Sequence, residues 1–177
     1  MRICIYENAI DLGKHSAMMV SMHIRRALQE KGECSIILAT GTSQLAMLDS
    51  LVKDNDIDWN KVEVFHLDEY VGIPDTHKAS FRKYLRERFA ERVSGLRAFH
   101  YIQADANDLS VEIARLSDLI SSKNIDVACI GIGENGHLAF NDPPANLDTQ
   151  EPYLIVQLDE ACRRQQVGEG WFDDISE

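Results

Sequence analysis

The 177-residue chain predicts an α/β fold, a doubly wound and mainly parallel sheet with helices on both faces, of Rossmann-like type. Three observations carry this. Short β-rich apolar runs alternate with longer stretches whose apolar residues recur at helical spacing. One run, CSIILAT from Cys34 to Thr40, is short and continuously apolar, as in a strand covered on both faces. Three runs end in clusters of glycine, hydroxyl, acid and imidazole groups, and open parallel sheets bind ligands at that end of their strands.

Arg2 to Tyr6 alternates and reads as a strand. Ile10 to Lys31 carries Met18, Met19, Met22, Ile24, Ala27 and Leu28 near helical spacing, with Gly32 as its stop. Cys34 to Thr40 is the next strand, Ser43 to Asp54 a helix, and Val62 to Leu67 a strand. Ser80 caps a helix to about Arg92, supported by Phe81, Tyr84, Leu85 and Phe89. Arg97 to Ile102 is a short strand. Asp105 or Asn107 opens a helix with Leu109, Ile113, Leu116, Leu119 and Ile120 on one face. Asp126 to Ile130 is a further strand and Tyr153 to Leu158 the last. No repeat or linker interrupts the pattern, so residues 1–177 read as a single domain with right-handed crossovers, ending in an acidic stretch without a terminal core element.

Hydrophobic content of 45% and charged content of 27% are those of a globular protein. A net charge of −11 argues against nucleic acid, which requires a basic face, yet leaves room for a small phosphorylated ligand. No run approaches a bilayer-spanning length, and the N-terminus is not a secretory signal, so no membrane partner is expected. Cys4, Cys34, Cys129 and Cys162 lack paired spacing; three of them lie within apolar runs and read as small buried hydrophobes, a reducing cytoplasm fits best, and no metal site is expected.

The first cluster, ATGTS (Ala39 to Ser43), sits at a strand-to-helix turn. Gly41 would let a ligand approach the backbone, while Thr40, Thr42 and Ser43 add hydroxyls beside a helix start, a phosphate cradle without lysine. An ordinary glycine turn with a serine cap is the alternative. The second, HLDEYVG, puts Asp68 and Glu69 at a strand end. Asp68 there suits a general base, Glu69 a substrate contact; alternatively Asp68 caps the turn and Glu69 is solvated. The third, GIGENGHLAFNDPP, is the most specific. Gly131, Gly133 and Gly136 make a compact loop that presents His137, the side chain suited to acid–base work near neutrality. Asn135 or Asp142 can orient its imidazole; a structural histidine in a glycine turn is the bland reading. His15, His23, His66, His77 and His100 read as structural or surface residues.

In this order the clusters resemble the glucosamine-6-phosphate deaminase (isomerase) family, which includes the 6-phosphogluconolactonases. The resemblance runs from about Ser35 to Phe172. ATGTS is similar to the family's phosphate loop, VFHLDEYVGIPDTHKASFRKYLRERF to its DEY segment, and GIGENGHLAFNDPP to its GxGxDGHIAFNEP signature. The continuation LAFN resembles the deaminase branch. The resemblance implies aldose–ketose isomerisation with loss of the amine, turning glucosamine 6-phosphate into fructose 6-phosphate and ammonia, without metal or organic cofactor. Asp68 would take the C2 proton, and His137 would move a proton at the ring oxygen. Backbone N–H groups of the glycine loop, including Gly133 and Gly136, would meet the charge at O1. The implied partner is an amino-sugar phosphate, and relatives are often homo-oligomers.

Three departures from the family pattern stand out. Asn135 replaces an acid before Gly-His, Asp142 replaces a longer glutamate, and Gly170 falls where an arginine often binds phosphate, with Arg163 or Arg164 as nearby substitutes. Family members also continue beyond this point, adding a phosphate-binding lysine, so the resemblance implies a domain incomplete at its C-terminus. A non-catalytic sugar-phosphate-binding remnant and a 6-phosphogluconolactonase-like hydrolase are the competing expectations.

Overall fold

The computed structural model describes residues 2–133, 136–142 and 144–174. Helix α1 (Ala9–Lys31) is capped by Asn8, whose side chain accepts from the Asp11 N–H, and stops at Gly32, left-handed at φ +78°. Strand β1 (Cys34–Leu38) follows, then a 3-10 turn at Thr42–Gln44 and helix α2 (Leu45–Leu51). Strand β2 (Val62–His66) leads through a long loop to α3 (Phe81–Leu85), capped by Ser80 as expected and widened into a π-helical turn over Arg86–Ala90. Strand β3 (Ala98–His100), helix α4 (Leu109–Ser121, capped by Asp108), strand β4 (Val127–Cys129) and helix α5 (Glu160–Gly168, capped by Asp159) complete the order.

The four strands form one parallel sheet in the order β3-β2-β1-β4, with Cys34 beside Val62, Ile36 beside Val64 and Val127, and Val64 beside Phe99. One face carries Cys34, Ile36, Leu38, Val62 and Val64 into a core with Ile24 of α1, Leu48 and Leu51 of α2, and Leu85 and Phe89 of the α3 region. Gly13 lets α1 touch α2 directly: a Cβ there would lie 2.4 Å from that of Ala46. Residues of alternate parity face the other way, where Glu63 meets Lys123 just after α4 at 2.5 Å and His100 at 2.9 Å. Right-handed crossovers require this division, because β3-to-β4 runs back across the sheet. At the start of β4, Asp126 ties into β1: Oδ2 accepts the Ser35 N–H at 3.0 Å, and Oδ1 pairs with Lys31 at 2.6 Å.

Three expectations are corrected. Arg2 to Tyr6 is not a strand: Ile3 and Ile5 are exposed, and no described strand pairs with the segment, so its alternation has no covered face to serve. Tyr153 to Leu158 is irregular, with no ladder partner among the described residues. The chain after it does form an element, α5, whose buried Cys162 packs inward. Of the other cysteines, Cys34 is buried, Cys129 half-buried and Cys4 exposed. No described helix is long and apolar enough to cross a membrane.

Candidate functional site

The chain runs outward from β1 through β2 to β3 and then returns to place β4 on the far side of β1. The crevice at the carboxyl ends of β1 and β4 is therefore the topological switch point of the sheet. The loop after β1 and the glycine loop after β4 flank it. They are neighbours: a Cβ built on Gly131 would come 3.9 Å from the Gln44 amide.

In the first loop Gly41 has φ +110°, a conformation side chains rarely adopt, and the Tyr84 hydroxyl donates to its carbonyl at 3.0 Å. Thr40 and Gly41 are half-buried, Thr42 and Ser43 exposed. The α-helix expected from Ser43 begins instead at Leu45, because Thr42–Gln44 winds as a 3-10 turn.

Beyond β2, Asp68 and Glu69 have opposite fates. Asp68 Oδ1 is buried without a hydrogen-bond partner. Burial, with the Glu69 charge adding to it, pushes the Asp68 carboxyl up from its ordinary value to about 7. Glu69 is buried rather than solvated. Its carboxylate accepts the backbone N–H of Tyr70, Phe81 and Arg82 and the Ser80 hydroxyl, at 2.8–3.1 Å. It anchors the start of α3 and thereby fixes the loop that carries Asp68. Arg82 reinforces the same loop through the Ile73 carbonyl, Gln103 and Asp105.

In the glycine loop, His137 Nδ1 lies 2.9 Å from Asp142 Oδ1, both side chains nearly buried. The shorter acid thus reaches the imidazole. Gly133 is required by packing, since a Cβ there would fall 2.2 Å from His137 Cε1, while Gly136 turns the loop at φ +86°. Their N–H groups point inward, Gly133 to the His137 carbonyl and Gly136 to the Gly133 carbonyl, each at 2.9 Å. The expected donation from these two to a substrate oxygen is corrected accordingly: they shape the loop. Asn135, the other candidate for orienting His137, lies outside the described residues.

A cavity of about 630 Å³ is bordered by Asp68 and Glu69, by Phe140 and Asn141 of the histidine loop, and by Arg163 of α5. It therefore joins the Asp68 segment to the histidine loop. Thr40, Gly41, Thr42, Ser43, Gly133, Gly136, His137 and Asp142 are not among its lining residues. Of the two arginines considered, Arg163 borders this space, whereas Arg164 pairs with Glu160 on the surface. Gly170, at φ +81°, closes the turn after α5. Among the described residues, no group of three or more His, Cys, Asp or Glu side chains is placed to hold a metal ion.

Sequence reading missed α5 as a helix, though it named Arg163 and Arg164. Asp159 accepts the Cys162 N–H at 2.6 Å, an N-cap visible in the sequence, but no apolar stripe follows it to mark a helix. Above α5 an aromatic cluster joins Tyr70 and Phe81 to Phe140 and Phe172, with the Tyr70 and Phe140 rings 4.9 Å apart.

The chain is 33% identical to a glucosamine-6-phosphate deaminase of Exiguobacterium sp. over 140 residues, covering 79% of this chain and 54% of the relative. It is 32% identical to glucosamine-6-phosphate deaminase 2 of Bacillus subtilis over 166 residues, 91% of this chain and 64% of the relative. It therefore spans between half and two thirds of the length of these curated relatives. A solved monomeric glucosamine-6-phosphate deaminase superposes over the whole chain and 72% of its own, with a TM-score of 0.85 at 24% identity, which shows the shared fold. The model of the glucosamine-6-phosphate isomerases/6-phosphogluconolactonase family matches residues 7–165, and the chain belongs to that family.

Proposed function

We propose that this chain supports the isomerisation and deamination of an amino-sugar phosphate, converting glucosamine 6-phosphate and water into fructose 6-phosphate and ammonia. The observation that carries the reading is Asp68, a carboxyl at the end of β2 with a buried, unpartnered oxygen and a pKa of about 7. A base removing a proton from carbon works best when its pKa lies near the ambient pH.

His137, held through Nδ1 by Asp142, would move a proton at the ring oxygen through Nε2 to open the sugar. Asp68 would then take the C2 proton, the C–H electron pair becoming a C1–C2 double bond while O1 takes a proton. Protonation at C1 leaves an iminium at C2; water adds there and ammonia departs. The loop Thr40 to Ser43, shaped by Gly41 and braced by Tyr84, is the candidate phosphate seat.

The test is ammonia release from glucosamine 6-phosphate by the 177-residue chain, with Asp68→Asn as control. Release that drops by ~10²–10⁴-fold in the control supports the reading. Equal release from both overturns the role of Asp68, and none from either overturns deamination of this substrate. The His137–Asp142 pair also favours a second reading, water activation for hydrolysis of 6-phosphogluconolactone, which needs no C2 proton transfer and would survive Asp68→Asn.

A further inference from the structure

Phe140 lies three residues after His137 and two before Asp142, inside the loop that forms the imidazole–carboxylate pair. Its ring packs against two others. The Tyr70 ring is 4.9 Å away and tilted; the Phe81 ring is 5.8 Å away and stacked at 11°. Tyr70 and Phe81 are themselves 4.8 Å apart. Both are buried, and the Glu69 carboxylate accepts the backbone N–H of each, at 2.9 and 3.1 Å. The two rings thus form one surface fixed to the segment that carries Asp68. Among the described residues of this cluster, Phe140 is the one that comes from the histidine loop.

The backbone beside Phe140 is held in a conformation its sequence disfavours. Ala139 has φ +52°, the one positive φ among the described residues other than glycine. A Cβ in this region crowds the following carbonyl, so glycine usually occupies it. Ala139 is the first central residue of a turn from Leu138 to Asn141, closed by the Asn141 N–H on the Leu138 carbonyl at 3.1 Å. A positive φ at such a position favours glycine again. The adjoining hydrogen bonds lead to the acid–base pair. The Asp142 N–H donates to the Phe140 carbonyl at 3.0 Å, and the Gly133 N–H donates to the His137 carbonyl at 2.9 Å. A turn that relaxed at Ala139 would therefore carry His137 away from its place relative to Asp68.

We infer that Phe140 is a positioning residue: seated on the Tyr70 and Phe81 rings, it holds the strained turn at Ala139 and thereby sets His137 against Asp68. The inference rests on the reading of His137 as an acid–base group. Strain of this kind persists only where the surrounding contacts over-determine it, and aromatic packing supplies those contacts here. Glycine at position 139 removes the strain, so the turn then keeps its shape without the ring.

The experiment compares the 177-residue chain with Phe140→Leu and with the double variant Phe140→Leu, Ala139→Gly. One readout is the NMR cross-peak between His137 Hε1 and the Gly133 α-protons, which are close in the parent because a Cβ on Gly133 would fall 2.2 Å from Cε1. The other is the kinetics of ammonia release from glucosamine 6-phosphate. Phe140→Leu is expected to lose the cross-peak and to lower kcat at least tenfold, with KM nearly unchanged because the loop over residues 40–43 is untouched. The double variant is expected to recover the cross-peak and most of kcat. Lost packing alone predicts no such rescue, since glycine adds no contact. A cross-peak kept in Phe140→Leu overturns the inference, as does parent-like kcat, and so does a double variant no better than the single. If Phe140→Leu does not fold, Phe140→Met, which fills the site more adaptably, carries the same expectations. The cross-peak needs no turnover, so a parent that releases no ammonia while Phe140→Leu loses the cross-peak refutes the deaminase reading and supports the positioning role.

Discussion

The His137 imidazole lies against the backbone of Gly133 so closely that a Cβ at Gly133 would sit 2.2 Å from Cε1. A single methyl group therefore cannot enter without moving the ring off Asp142. Gly133→Ala is expected to cost about 1–3 kcal/mol of stability by overpacking. It should reduce kcat at least tenfold, since even a small misplacement of a catalytic group is costly. Thermal melts and steady-state kinetics on the same preparation check both effects, and a variant with parent kinetics contradicts them.

Asp68 makes stability depend on pH. Its carboxyl is raised from its ordinary value to about 7, so the folded chain holds that proton more tightly than the unfolded chain. The resulting stabilisation is fully present below the ordinary carboxylate pKa of about 4 and is lost as pH rises through 7. Asp68→Asn removes this dependence. Denaturant titrations should show the variant gaining on the parent between pH 4 and pH 8, by up to a few kcal/mol.

Glu69 predicts a loss of stability on substitution. Glu69→Gln weakens the anchor of α3 and should destabilise the fold by about 2–3 kcal/mol, given four hydrogen bonds to one buried carboxylate. The midpoint of urea unfolding reads this directly. Part of any activity loss should return at low temperature, where the loop is held; a variant as stable as the parent refutes the anchoring role.

Tyr84→Phe removes the hydroxyl that braces the Gly41 carbonyl. The expected result is a stability loss of about 1 kcal/mol, with KM for the sugar phosphate raised and kcat little changed. Tight binding retained in the variant would separate the loop's shape from its candidate role as phosphate seat.

The sheet was legible because each strand announces itself by composition: CSIIL and VEVFH are short β-rich runs, and their partners follow from the crossover rule. Likewise, the glycines around His137 pointed to a compact loop, and Asp142 was named for the contact it makes. The Asp68 and Glu69 assignments were harder, since adjacent carboxylates look alike until α3 is seen to consume one of them. The contribution of α5 could not be read because no apolar stripe marks the helix and its contact with the Asp68 segment, Tyr70 to Gln166, joins residues 96 positions apart. Arg2 to Tyr6 misled for a related reason, since alternation specifies a strand only when another element covers one face.

The join between Asp126 and Ser35 spans 91 residues of chain, while β1 and β2 pair across far fewer. Long closures are the slow events of folding, because their entropy is lost before their contacts form. The half of the site that holds Gly41 and Asp68 can thus take shape early, during synthesis, whereas His137 arrives only once β4 has docked. On the proposed reading, activity would report completed folding: a molecule in which β4 has not joined β1 holds Asp68 without His137.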